Sequence, residues 1–155
     1  MSLEIRSGRD EDAAGYIALI SRCWADYPGV ELHVDAEVPE LRALASYYAG
    51  LGGMVWVAGV VAGMVAVRPR GKGVWELCKV YVHPELHGAG LAAELVGMAE
   101  AHVRGAEGTG MELWTDTRFG RAHRFYEKLG YARVGMPREL GDLCGSWEHQ
   151  YGRAL

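Results

Sequence analysis

A chain of 155 residues is long enough to bury a core without disulfides or a structural metal, and its net charge of −4 argues against a generic nucleic-acid binder. Its 22 glycines are roughly twice the usual share of about 7% but follow no period, which excludes a collagen or a linker and points to turns and close backbone approaches. Cys23, Cys78 and Cys144 form no Cys/His metal spacing and read as free thiols of a reducing, cytoplasmic setting, and no apolar run approaches the roughly 20 residues of a membrane span. Residues 1–155 read as a single domain with no metal and no nucleic-acid or membrane partner.

Leu3 and Ile5 alternate with Glu4 and Arg6, a short first strand. Asp10, Glu11 and Asp12 suit the positive end of a helix, and Ala13, Ile17, Ile20 and Trp24 continue it on one face until Tyr27-Pro28-Gly29. A loop with Glu31, His33 and Asp35 leads to Pro39, placed in the first turn of a second helix whose apolar face is Leu41, Leu44, Ala45 and Tyr48. The period then changes. Met54 to Ala58 and Val61 to Val67 are Val-rich runs joined at Gly59-Val60, a two-residue hairpin turn. Arg68 to Gly73 is the next loop, and Val74 to Val82 the last strand of an antiparallel meander.

The most specific stretch follows. A strand ends at Val82, Pro84 breaks it, and Gly88, Gly90 and Ala92 open a helix marked by Leu91, Leu95, Met98 and His102 and stopped at Gly105. The first N–H groups of such a helix have no internal partners, so the junction can hold an anionic phosphate. Met111 to Thr115 is a further strand, reached through that helix and therefore parallel to Val74–Val82. Phe119, Ala122, Tyr126 and Leu129 mark a short helix stopped by Gly130, and Tyr131 to Val134 and Ser146 to Tyr151 close the chain as two strands.

The segment from Val82 through His87-Gly88-Ala89-Gly90-Leu91-Ala92 resembles the coenzyme-binding motif of the GCN5-related N-acetyltransferases, whose pattern is Arg or Gln, two residues, Gly, one residue, Gly or Ala. Ala122-His123-Arg124-Phe125-Tyr126-Glu127-Lys128-Leu129-Gly130-Tyr131 is similar to a second signature of that family. The chain departs from the pattern at His87, where Arg or Gln is usual, and at Phe119, where Asn is frequent. The resemblance implies an α/β acyltransferase fold, a mixed twisted sheet of about seven strands with helices on both faces. It also implies acetyl transfer from acetyl-CoA to a primary amine of a small molecule or peptide, by direct attack in a ternary complex.

On that resemblance His87, Gly88, Ala89, Gly90, Leu91 and Ala92 hold the pyrophosphate, and the backbones of Val80, Tyr81 and Val82 pair with the pantetheine amides by strand addition. Phe119 lies on the pantetheine arm, and Arg121 or Arg124 reaches a coenzyme phosphate and offsets the weak charge of His87. Tyr126 serves the leaving sulfur. Full proton transfer from a phenol near 10 to a thiolate near 8.5 is uphill by about 2 kcal/mol, so Tyr126 acts largely by hydrogen bonding.

Glu76 is the candidate base that deprotonates the amine, on a strand face shared with Cys78, Val80 and Val82, and Asp116 and His33 are alternates. Trp24, Asp26, Tyr27, Glu31, His33 and Asp35 form an acidic, aromatic acceptor region that favours a cationic amine. Edge strands after Gly135 suit a homodimer. Two other readings stand beside this one: a non-catalytic acyl-CoA-binding module, and an NAD-binding oxidoreductase, because Gly88 to Ala93 also satisfies G-x-G-x-x-A. The antiparallel meander before those glycines disagrees with the latter.

Overall fold

The computed structural model of the chain describes residues 3–155. The alternating runs become β1 (Ile5–Ser7), β2 (Met54–Ala58), β3 (Gly63–Gly71), β4 (Val74–Val82), β5 (Gly110–Asp116), β6 (Ala132–Glu139) and β7 (Trp147–Ala154) of one sheet. Their order is β1-β2-β3-β4-β5-β7-β6. All neighbours are antiparallel except β4 and β5, which a helical crossover joins. The helices are α1 (Ala13–Trp24), a single turn α2 (Val34–Glu37), α3 (Leu44–Gly50), α4 (Leu91–Gly105) and α5 (Gly120–Lys128).

Period-two alternation sends the side chains of β2, β3 and β4 into two cores. Val55, Val57, Met64 and Ala66 pack with Tyr16, Leu19 and Ile20 of α1 and Leu44 and Tyr48 of α3. Their neighbours Trp56, Ala58, Val65 and Val67 pack on the opposite face with Leu91, Leu95, Val96 and Ala99 of α4. Each fully buried Val or Leu contributes roughly 1.5–3 kcal/mol by leaving water, so a one-residue register slip of a central strand would forfeit both cores at once.

Several boundaries differ from the sequence expectations. The β2–β3 connection is Gly59 to Ala62, because Val61, at φ 49°, turns inward to the α1 core and lengthens the two-residue turn expected at Gly59-Val60. The expected loop Arg68 to Gly73 is mostly strand. β2 ends opposite Val67, so β3 runs on without a neighbour on that side and accommodates Pro69 before turning at Lys72-Gly73, both at positive φ. The second helix is broken into α2, a 3-10 segment (Pro39–Ala43) and α3. Asp10 explains the restart of the helix: its carboxylate accepts from Ser46 N at 2.9 Å and from the Ser46 hydroxyl, and so caps α3 from outside. Asp12 is held by two hydrogen bonds from Arg6 at 2.9 Å, so this acidic run ties β1 and α3 together in addition to leading into α1. β6 and β7 extend to Glu139 and Ala154, beyond the expected Val134 and Tyr151, because they pair with each other across a bulge between Val134 and Arg138.

One irregularity positions the site. β4 and β5 pair only at Val74↔Gly110, Trp75↔Met111 and Glu76↔Glu112, and then part. Just beyond, the β3–β4 register passes from Ala66↔Cys78 to Met64↔Tyr81, so Val65 faces both Lys79 and Val80, and Lys79 sits at φ 54°. This bulge bends β4 and costs about 1–2 kcal/mol for a non-glycine residue in the left-handed region. It also flips the alternation. Glu76 and Cys78 therefore do not share a face with Val80 and Val82, contrary to the sequence reading: Cys78 and Tyr81 join the α1 core, Val80 and Val82 the α4 core.

Candidate functional site

The gap between β4 and β5 opens two connected hollows. The larger, about 780 Å³, runs from the start of α4 to the start of α5. Gly88 (φ 84°) and Gly90 (φ 83°) turn the chain there, and a Cβ on either would meet no atom within 4 Å, so the loop faces open space. Glu94 N–H is the first to close onto Gly90 O, at 3.0 Å, which leaves the N–H groups of Leu91, Ala92 and Ala93 without an α-helical partner. These donors and the clear space in front of them fit a pyrophosphate.

The other expected coenzyme residues are placed unevenly. Val80, Tyr81, Val82, Phe119 and Arg121 line the larger hollow, as does Lys128, which the sequence reading had not singled out for it. Arg124 does not line it: one of its guanidinium nitrogens would lie 3.5 Å from a Cβ on Gly120. His87 lines the hollow, but its Nε2 lies 3.2 Å from Val82 O. With the proton on Nε2 the ring donates to its own strand, leaving an acceptor at Nδ1, a poor match for phosphate. Cys23 Sγ donates to the same carbonyl at 3.3 Å, so Val82 O already has two donors and is not free for a pantetheine amide. Burial pushes the Cys23 thiol up to about 11, which keeps it protonated.

The two hollows meet at a neck of Trp24, Val80, Tyr81, Phe119, Ala122 and Tyr126. Trp24 Nε1 donates to Tyr81 Oη at 3.2 Å, and Phe119 packs against Tyr27 with ring centroids 4.7 Å apart, so the end of α1 and the start of α5 touch across the gap. Tyr126, only 7% exposed, reaches this neck. Burial, then the nearby Tyr81 and Cys78, push its phenol above the ordinary 10.0, so it keeps its proton.

The smaller hollow, about 450 Å³, lies between α2, the outer ends of β4, β5 and β7, and the β6–β7 loop. Five carboxylates, Glu31, Glu37, Asp116, Asp142 and Glu148, line it against one amine, Lys79, itself 3.7 Å from Glu40. Of the sequence-derived acceptor residues, Trp24, Glu31 and His33 are here, Asp26 and Tyr27 line the larger hollow, and Asp35 lines neither and pairs with Arg42 at 2.8 Å.

The proposed bases separate clearly. Glu76 lines neither hollow and is held by Arg68 at 2.9 Å. Asp116 lines the smaller hollow, but both its oxygens accept from Arg118 (2.8–2.9 Å). Burial raises its pKa, and those bonds outweigh it and hold the carboxyl below its ordinary value. His33 is 3.4 Å from the Glu31 carboxylate. Glu37, Trp114, Asp142 and Glu148 were not singled out in the sequence; they lie on segments far apart in the chain and form no motif. The β6–β7 loop is tied over this hollow by Leu143 N donating to Glu37 Oε2 at 2.9 Å and by Cys144 Sγ against the Glu31 backbone.

Comparison with known proteins agrees with this architecture. The family model "Acetyltransferase (GNAT) family" matches residues 13–131. Mycothiol acetyltransferase of Salinispora arenicola is 30% identical over 135 residues, 83% of this chain but 43% of that protein, so the chain spans less than half the length of this curated relative. Among solved structures, an acetyltransferase from Streptococcus agalactiae superposes with a TM-score of 0.84 at 20% identity, covering 100% of this chain and 99% of that one. The PaiA N-acetyltransferase of Thermoplasma acidophilum, solved with coenzyme A, superposes with a TM-score of 0.73 at 17% identity, covering 97% and 98%. At such identities these likenesses establish the fold.

Proposed function

The chain belongs to the acetyltransferase (GNAT) family, and on that premise we propose that it moves an acetyl group from acetyl-CoA to a primary amine by direct attack in a ternary complex. One observation carries the reading: β4 and β5 part after Glu76 and Glu112, and one hollow runs from the unpaired N–H groups of α4 to Tyr126. Acetyl-CoA supplies the activated acyl group. Leu91, Ala92 and Ala93 N–H bind its pyrophosphate, Arg121 and Lys128 add positive charge at the rim, and the β4 backbone between Glu76 and Val82, the already paired Val82 O excepted, is open toward β5 for strand addition. Tyr126 holds its proton at Oη for the leaving sulfur. Cys23 lines the coenzyme hollow, but its raised pKa keeps it a thiol, which supports direct attack over an acyl-cysteine route.

The acidic lining of the smaller hollow supports a cationic acceptor, because five carboxylates, of which Asp116 and Glu148 are paired with arginines, face one amine that is itself paired, and the remaining excess attracts an ammonium group and repels an anion. The three free cysteines support a cytoplasmic setting, and among the described residues no helix is long and apolar enough to cross a membrane. The outer edge of β6, with Met136 84% exposed, supports a homodimer. The test has two arms. Acetyl-CoA, and not NAD, should raise the thermal midpoint, and thiol release should appear with amines from a cationic panel. Stabilisation by NAD alone, or acetyl-CoA binding with no thiol release for any amine, sinks the proposal.

A further inference from the structure

Taking Glu76 out of the hollows leaves the reaction without its expected base, and the structure offers a different group in its place. Glu148, on β7, lines the smaller hollow and is 19% exposed. Arg138 Nε and Nη2 both donate to one of its oxygens, Oε1, at 3.1 and 2.9 Å. The Arg138 Cζ sits 3.7 Å from the centroid of the Trp114 ring, so the guanidinium cannot swing away without losing a cation–π contact. Among the described residues the second oxygen, Oε2, has no hydrogen-bond partner. Each of the other carboxylates of the hollow is fully paired, tied to the β6–β7 loop or exposed, and of the five only Asp116 and Glu148 lie near enough to Tyr81 of the neck to act on its phenol. Asp116 is chelated by Arg118, Asp142 accepts from Ser146 N at 2.6 Å, Glu37 accepts from Leu143 N, and Glu31 is 73% exposed beside His33.

From this geometry we propose that Glu148 is the catalytic base for the amine, its carboxylate anchored at Oε1 by Arg138 and receiving the proton at Oε2, directly or through one water. The inference rests on the acetyl-transfer reading and adds to it the group that prepares the nucleophile. Glu148 also stands near Tyr81 of the neck, whose phenol is raised first by burial and also by the Glu148 and Asp116 charges. The step balances. The ammonium gives one proton to Glu148, its nitrogen forms the C–N bond as the C–S bond breaks, a second N–H proton leaves as the amide forms, and the sulfur takes up one proton. One proton therefore passes to solvent per turnover.

Glu148→Gln keeps an oxygen for Arg138 and should fold with an unchanged thermal midpoint and acetyl-CoA affinity. At neutral pH its turnover should fall about 100-fold. The defect should shrink as the pH rises toward the amine's own pKa, because solvent can then deprotonate the nucleophile; a merely structural role gives a defect that pH does not relieve. Glu148→Asp should recover part of the rate. Turnover equal to that of the unaltered protein, a rise in amine KM with kcat unchanged, or a loss independent of pH each overturns the assignment. Absence of thiol release in the unaltered protein overturns the transfer reading itself, and this inference with it.

Discussion

The two hollows are built from different materials. The larger draws its polar groups mostly from backbone, namely two glycines at positive φ, three unpaired helix N–H groups and the open side of β4, all supplied by one stretch from Val80 to Ala93 and faced by α5 and the end of α1. The smaller is mostly side chain, with contributions from α2, β4, β5, β7 and the β6–β7 loop. A backbone site needs only the right local turn, so it tolerates changes of side chain such as His87 and Phe119. A side-chain site depends on long-range packing, and one displaced element removes its chemistry.

That contrast predicts where substitutions act. Tyr126→Phe, at the neck, should lower turnover roughly 100-fold with little change in coenzyme affinity, since the hydroxyl is lost and the ring remains. Equal turnover would return Tyr126 to a packing role. Gly90→Val should act on the larger hollow alone: a β-branched residue at φ 83° carries about 1–2 kcal/mol of strain that the free loop relieves by relaxing and coenzyme binding must restore, so coenzyme Kd should rise about tenfold while the amine KM holds. A rise in amine KM of the same size would show that the hollows are not separable.

Arg121→Ala should weaken acetyl-CoA by a few-fold and dephospho-CoA less, as befits an exposed charge, and Arg124→Ala should do less than either. Equal losses for both nucleotides would argue against a phosphate contact by Arg121.

The smallest effect lies outside both hollows. Hydrogen bonds from Arg6, opposed by burial, hold Asp12 below its ordinary 3.8. Its contribution is therefore present above about pH 4 and lost as pH falls through the lower folded value. Urea midpoints should drop as pH falls below about 4, and Asp12→Asn should lessen that drop, which Asp10, Asp35, Asp116 and Asp142 share, without altering coenzyme binding.

The alternation of Met54 to Val67, the crossover from Val82 to Gly105 and the glycines at 88 and 90 were legible because each is a local pattern. Periodicity reports which side of a strand or helix is buried, and clustered small residues report where a backbone turns, so the antiparallel meander, the parallel β4–β5 pair and the turn opening α4 follow from the chain itself, whereas the acyltransferase fold and the coenzyme residues came from the resemblance of two segments to a family. What the chain could not reveal is which side chains meet. The bulge at Lys79 shifts the β4 alternation by one and puts Glu76 on a different face from Val80 and Val82. The pairing of β7 between β5 and β6 carries Glu148 to the neighbourhood of Asp116, 32 residues away in sequence. Both depend on strand register and sheet order, which arise from packing across the whole sheet. The sequence alone therefore determined the helix-opening turn that suits an anionic coenzyme, and only the tertiary structure decided which carboxylates come together in the smaller hollow.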